Sequence, residues 1–150
     1  MTKWIIALAL SFSAMGCVAL ECTEVGCESG LTVSIGNLKA ASQSYPLTVE
    51  VCVESSCHTA TVDQKNSAVE CSSDDTMMSC FVNEDGSVVV NVFREPEKES
   101  ESVTVKVSDS LDQVVVDETK TVTYVESQPN GEGCEPTCRN GEIEVFAAVP

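Results

Sequence analysis

Positive charge is scarce in this chain, which carries 8 Lys and Arg against 24 Asp and Glu and has a net charge of −16 at pH 7. Proteins that bind nucleic acids or anionic lipid headgroups present a basic patch, because the phosphates they contact are negative. No such patch occurs along this sequence, and we predict no nucleic-acid partner. The excess of acid serves solubility, and binding of a cation or a basic partner is the alternative.

Aromatic residues are also few: one Trp, two Tyr and four Phe. Trp4 and Phe12 lie in the first sixteen residues, which have the character of a leader. The rest of the chain keeps Tyr45, Phe81, Phe93, Tyr124 and Phe146. A core must therefore be built mainly from Val, Ile, Leu and Ala, and covalent cross-links gain in importance.

The single histidine, His58, limits the available catalytic chemistry. A Ser–His–Asp hydrolase would use His58 as the base, with Ser55 or Ser56 as the nucleophile and an aspartate nearby. No nucleophile-elbow glycine pattern accompanies these residues. The pattern favours a strand or surface histidine, and we predict a protein that is not an enzyme and needs no cofactor.

Acidic residues occur in pairs at Asp74-Asp75, Glu84-Asp85 and Asp117-Glu118. Paired carboxylates can perform acid–base catalysis, but adjacent acids in turns are usually only solvated. The loop that contains Asp74-Asp75 and the Asn83–Gly86 turn also offer the hard oxygen ligands that calcium prefers. Neither matches the twelve-residue calcium loop. We predict no metal site, and calcium is the alternative.

The chain begins with the features of a secretory signal peptide. Lys3 is the only charge in the first sixteen residues, an unbroken apolar run follows at residues 4–10, and small residues come next. This order is typical of an exported protein. The apolar run is far shorter than the ~20 residues that span a bilayer, which disfavours a retained membrane helix. We predict a signal peptide over residues 1–16, whose removal leaves 7 basic and 24 acidic residues and a net charge of −17.

Ala14-Met15-Gly16-Cys17 resembles the lipobox of bacterial lipoproteins, in which the cysteine becomes the new N-terminus and carries the lipid. The resemblance implies lipidation of Cys17. Ordinary cleavage after Gly16 is one alternative. Cleavage after Ala19 is another, and it would release a soluble binding or inhibitor module.

Nine cysteines indicate a disulfide framework in an exported chain. They lie at positions 17, 22, 27, 52, 57, 71, 80, 134 and 138. An odd number leaves one without a partner, and either lipidation of Cys17 or cleavage after Ala19 leaves eight, enough for four disulfides. A zinc site is the alternative use of the CxxxxC and CxxxC spacings, and export favours disulfides.

Alternating apolar and polar residues, separated by turn signals, predict an all-β domain of about seven or eight short strands. The predicted strands cover Leu31–Ile35, Leu47–Val53, Cys57–Val62, Met77–Val82, Ser87–Phe93, Val103–Val107, residues 113–125 and Glu142–Val145. The stretch 113–125 is one long strand or two strands broken near Asp117-Glu118. We predict an antiparallel β-sandwich, immunoglobulin-like in the broad sense, with a small barrel as the alternative. Residues 17–30 would comprise the lipidated cysteine, a tether and a disulfide-linked lead-in, and residues 31–150 a single β-sandwich domain. The polar stretch 63–76 and the acidic stretch 94–101 are predicted as loops.

Cysteine pairs lie near both ends of the predicted sandwich. In many sandwiches the first and last strands run parallel and side by side. That arrangement would bring Cys22 close to Cys134 and Cys27 close to Cys138. A local bond between Cys134 and Cys138 is the competing possibility.

The predicted pairing of the four central cysteines depends on a two-residue turn at Glu54-Ser55. This turn would place Cys52 opposite Cys57 and leave Cys71 to pair with Cys80. The crossed alternative joins Cys57 with Cys71 and Cys52 with Cys80.

The segments CTEVGCESGLTVSI (22–35) and QPNGEGCEPTCR (128–139) resemble the start and end motifs of small uncharacterised lipoproteins of Gram-negative bacteria. Those proteins are exported, single-domain and immunoglobulin-like, and no activity is established for them. The resemblance implies lipid on Cys17 and, because Val18 follows the cysteine, attachment to the outer membrane facing the periplasm or the cell surface. We predict a lipid-anchored envelope protein with a structural or binding role toward an unknown protein or glycan, and the sequence leaves its oligomeric state open.

Overall fold

Strands dominate the structure, a computed structural model that describes Cys22 and residues 25–38, 44–65 and 68–148. The strands are β1 (Gly30–Gly36), β2 (Leu47–Val53), β3 (Ser56–Lys65), β4 (Ala68–Ser72), β5 (Met78–Val82), β6 (Val88–Phe93), β7 (Ser100–Ser108), β8 (Val114–Thr123), β9 (Val125–Ser127) and β10 (Cys138–Phe146). Within the described ranges no helix is long and apolar enough to cross a bilayer. The predicted all-β class is confirmed.

The strands form two five-stranded sheets. Sheet A has the order β5-β6-β1-β10-β9, and sheet B has the order β4-β3-β2-β7-β8. All neighbours pair antiparallel except β1 and β10, which run parallel with Val33 opposite Ile143. The first and last strands therefore lie side by side at the centre of sheet A, as predicted.

Ten strands take the place of the seven or eight predicted. The stretch 63–76, predicted as a loop, contains the end of β3 and all of β4, because pairing with β3 satisfies the backbone of this polar segment and half-buries Val69 and Cys71 against the core. The stretch 113–125 divides at Tyr124 into β8 of sheet B and β9 of sheet A. Most strands carry a strong local pattern, whereas β4 is a short polar strand paired with its neighbour β3, and β9 is a three-residue strand paired with β10.

The inward side chains of both sheets form one apolar core made mainly of valine. Leu31, Val33 and Ile35 on β1 are buried, as their alternation predicted. Tyr124 is the one aromatic residue among the buried core residues that the structure describes. The sheets approach closely at Gly141, where an added Cβ would lie 2.4 Å from Cγ2 of Val122.

The acidic segment between β6 and β7 is not simply a solvated loop. Glu101 lies in β7 and is only 2 % exposed, and its carboxylate is 2.5 Å from Nη1 of Arg94. Arg139 donates hydrogen bonds to the backbone carbonyls of Pro96 and Lys98. Two arginines thus hold this segment against the domain, which corrects the prediction for residues 94–101.

Candidate binding face

Two disulfides join the N-terminal lead-in to the segment before β10. Cys22 bonds to Cys134 and Cys27 bonds to Cys138, with Cα atoms 5.7 and 6.1 Å apart. The parallel pairing of β1 and β10 places both pairs at one end of sheet A. These are the pairs that the sequence favoured, and Cys17 lies outside the described residues.

The other two disulfides lie around the β2–β3 hairpin and the β4–β5 crossing. Cys52 and Cys57 face each other across the two-residue turn at Glu54-Ser55. Cys71 of β4 bonds to Cys80 of β5 and so links sheet B to sheet A. The crossed alternative is absent, and the structure contains the uncrossed pairs.

The structure also brings His58 together with a serine and an aspartate. Nε2 of His58 lies 3.4 Å from Oγ of Ser56, and Nδ1 lies 2.6 Å from Oδ2 of Asp75. Asp75 is fixed in turn, because its Oδ1 accepts a hydrogen bond of 2.8 Å from the backbone N–H of Met77. The sequence named the histidine and the serine but could not select Asp75, which reaches them only through the β4–β5 crossing.

This hydrogen-bonded chain lies at the edge of the core. His58 is opposite Val51 on the inward side of β3, so its bond to Asp75 ties the crossing segment to sheet B. The Met77 N–H, and then His58, hold the pKa of Asp75 below its usual range. A cavity of about 350 Å³ beside Asp75 opens on the other side of β3, where Cys57 and Thr59 line it and the serine and histidine do not.

Of the remaining acidic pairs, Glu84-Asp85 lies in the β5–β6 turn, whereas Asp117-Glu118 lies within β8, where Glu118 pairs with Lys120. Asp85 Oδ1 accepts hydrogen bonds from the Ser87 backbone and hydroxyl at 2.9 and 2.7 Å, and the hydroxyl bond is the main cause of its lowered pKa. No group of three or more His, Cys, Asp or Glu side chains that could hold a metal occurs in the part of the chain that the structure describes.

Many side chains on the outward surface of sheet B carry hydroxyl groups. Its alternate positions include Thr48, Thr59, Thr61, Ser100, Ser102, Thr104, Ser108, Thr119, Thr121 and Thr123. Cross-strand contacts join Thr104 to Thr119 at 2.9 Å, and Lys106 lies between Glu50 and Asp117 in register. Such a surface is well hydrated, and it is acidic, because Glu50, Asp63, Glu70 and Asp117 face outward beside Lys106.

The outward surface of sheet A differs from that of sheet B in its exposed aromatic rings. We call it the A face, and its residues are Ser79, Phe81, Val89, Asn91, Phe93, Gly30, Thr32, Ser34, Gly36, Asn140, Glu142, Glu144, Phe146, Val125 and Ser127. It includes Phe81, Phe93 and Phe146, which are the phenylalanines of the chain after residue 16. Phe81 and Phe146 are 48 % and 50 % exposed. The only charged residues in this set are Glu142 and Glu144, both acidic.

A groove runs along the middle of the A face because β1 presents only small residues outward. These are Gly30, Thr32, Ser34 and Gly36, whereas β6 and β10 on either side present larger side chains. We call this feature the β1 groove. A cavity of about 680 Å³ lies at its Gly36 end, and one of about 190 Å³ lies at its Gly30 end.

The floor of the β1 groove is polar at its centre and aromatic at the Gly36 end. The Thr32 hydroxyl donates to the Asn91 side-chain oxygen at 2.9 Å, which forms a polar row across the sheet. The Phe146 ring covers Gly36, since a Cβ added there would be 2.7 Å from ring atom Cδ1. Asn83, Asp85 and the outward Glu144 also line the larger cavity.

Comparison of the chain with protein-family models, with curated proteins and with solved structures found no match. On the A face, exposed aromatic rings, a groove and polar side chains coincide.

Proposed function

We propose that this protein is a lipid-anchored, non-enzymatic binding protein of the bacterial cell envelope, and that the A face is its binding surface. The observation that carries the proposal is the placement of all three phenylalanines on one outward sheet surface, beside a groove of small residues. Aromatic residues are enriched at binding surfaces, because each ring buries a large apolar area at a small cost in entropy. Sheet B, whose outward side chains are mostly hydroxyl and charged groups, provides the solvated opposite surface.

Within the all-β class, we assign the fold to the immunoglobulin-like β-sandwiches. Its support is the single core shared by two sheets and the parallel pairing of β1 with β10. In such a sandwich both outward sheet surfaces are accessible, and each sheet is covered on its inner side.

The anchor would hold one defined end of the domain at the membrane. Five peptide units separate Cys17 from Cys22, and a fully extended chain of that length spans at most about 18 Å. Since Cys22 is bonded to Cys134, the disulfide-linked end would lie near the lipid headgroups. The larger cavity, at the other end of β1, would then face away from the membrane.

Replacing Cys17 with serine is expected to abolish lipid labelling and to move the protein from the membrane fraction to the soluble fraction. One acyl chain gives only marginal membrane binding, and stable anchoring needs more than one, so loss of the modified cysteine removes the attachment. The measurement is palmitate labelling and fractionation of cells that express the wild type or the variant.

A matched Cys27→Ser variant controls for the loss of a cysteine that forms a disulfide, and it should keep the palmitate label. Unchanged labelling and fractionation of the Cys17 variant would contradict the anchor. Mass spectrometry of the mature N-terminus then identifies the alternative, a secreted module that begins at Leu20.

A fluorophosphonate probe is expected to leave Ser56 unlabelled. The Ser56–His58–Asp75 chain supplies a base and an orienting carboxylate, but a hydrolase also needs donors aimed at the developing oxyanion and a cavity beside the nucleophile. In the β2–β3 hairpin, Ser56 lies opposite Val53 in the residue pair next to the turn. The measurement is in-gel fluorescence with a serine protease as the positive control, and labelling that disappears in both Ser56→Ala and His58→Ala would show a catalytic site.

A further inference from the structure

The geometry points to a basic peptide segment, in extended conformation, as the ligand of the β1 groove. This inference rests on the proposed role of the A face as the binding surface and adds the chemistry of its partner. Charge, aromatic placement and the length of the groove each support it.

The charged residues among those of the A face are Glu142 and Glu144, both acidic. Arg94 pairs with Glu101, Lys98 with Glu54 and Lys120 with Glu118. Arg139 is directed inward, toward the segment between β6 and β7. The ammonium of Lys120 bonds to the backbone carbonyl of Glu144 at the margin of the A face, and the negative charge offered to a ligand comes from Glu142, Glu144 and Asp85 within a chain of net charge −16. Such a field attracts basic partners and repels acidic ones.

The larger cavity combines an exposed ring with carboxylates. Glu144 and Phe146 both point outward from β10, and Asp85 lies across the same cavity. A lysine or arginine can lay its methylene stem along the ring and bring its charge to the carboxylates. A cation over the face of an aromatic ring gains a further favourable interaction.

The length of the groove fits an extended chain. Gly30 and Gly36 are six residues apart on β1, which corresponds to about 20 Å at the rise of a β-strand. The two cavities at these ends would accept side chains about six residues apart in a bound peptide. Between them, Thr32, Ser34 and Asn91 offer hydrogen-bonding groups to the peptide backbone.

The test uses a fluorescein-labelled decalysine peptide and the full-length lipidated protein in a neutral detergent, with affinity measured by fluorescence anisotropy. Two variants each remove two negative charges. Glu142→Gln/Glu144→Gln changes the A face, and Glu50→Gln/Asp117→Asn changes sheet B. All four side chains are outward, and thermal melts check that each variant is folded.

We expect the A-face double variant to bind roughly tenfold more weakly, the combined effect of two exposed ion pairs, and the sheet B variant to change by less than twofold. Phe146→Ala should weaken binding by about two- to fivefold. Affinity should also fall as salt is raised, because the contacts are ionic.

Equal weakening by the two double variants would mean that net charge alone attracts the peptide, and it would overturn the inference. Absence of decalysine binding would also overturn it. In that case the same protein is tested with hexasaccharides of glucose and of N-acetylglucosamine. Sugar binding that Phe146→Ala abolishes would preserve the A face as the binding surface while rejecting a basic ligand. Sugar binding that Phe146→Ala leaves unchanged would reject both the A face as the binding surface and the basic ligand.

Discussion

Replacing Arg94 with methionine is expected to lower the free energy of unfolding by about 3–5 kcal/mol. Glu101 is almost fully buried, and Arg94 is the cation that faces it. Removal of the guanidinium leaves a buried carboxylate without its charge partner. Burial and then Glu101 raise the pKa of the Tyr124 hydroxyl to about 12, so this residue stays neutral and cannot replace the positive charge of Arg94.

A double variant separates the charge effect from lost packing. Arg94→Met/Glu101→Leu removes both charges and is expected to recover most of the stability, since an apolar pair of similar volume commonly replaces a buried ion pair at little cost. The measurement is urea unfolding followed by circular dichroism, because the chain after the leader has no tryptophan. If Arg94→Met costs less than about 1 kcal/mol, or if the double variant is the less stable of the two, the pair does not contribute as the structure indicates.

Removal of both terminal disulfides is expected to cost roughly 1–3 kcal/mol more than the sum of the two single removals. Each bond closes a loop of more than 110 residues, which the chain-entropy model values at about 4.7 kcal/mol for a first bridge. While one bond remains, the other closes a ring of only about nine residues, worth roughly 2–3 kcal/mol. Loss of either bond alone should therefore cost about 2–3 kcal/mol, and loss of both about 7 kcal/mol.

The variants are Cys22→Ser/Cys134→Ser, Cys27→Ser/Cys138→Ser and their combination, so that no thiol is left unpaired. A total of about 7 kcal/mol is comparable to the whole stability of many domains, and the combined variant should be largely unfolded at 37 °C. Cys52→Ser/Cys57→Ser, which opens a very short loop, is the control and should remain folded. Additive costs, or a combined variant that melts with the single ones, would contradict the paired arrangement at the two chain ends.

Much of the fold follows from local patterns in the sequence. Alternation at Leu31–Ile35 and Val103–Val107 predicts strands, because side chains on a strand change sides at every residue. The turn at Glu54-Ser55 predicts the facing position of Cys52 and Cys57 for the same local reason. The pairing of the terminal cysteines needed one assumption about topology, the parallel first and last strands, and the structure has that pairing.

The features that the sequence did not show all depend on distant partners. Glu101 looked solvated within an acidic run, and only its approach to Arg94 across the β6–β7 connection makes burial favourable. Asp75 reaches His58 because the β4–β5 crossing returns over β3. No short pattern in the sequence specifies either contact.

The β1 groove is the clearest example of such a feature. Its small residues lie on β1, and its aromatic walls come from β6 and β10, far along the chain. The order β6-β1-β10 brings them together, and strand order cannot be read from alternation.

The most direct test of the proposed binding surface is an NMR titration of the ¹⁵N-labelled protein, in detergent micelles, with decalysine. The account predicts that the largest amide shift changes occur at Thr32, Ser34, Asn91 and Glu144 and that Thr104 and Thr119 on sheet B stay unchanged. Shift changes centred on sheet B, or spread evenly over both surfaces, would contradict it.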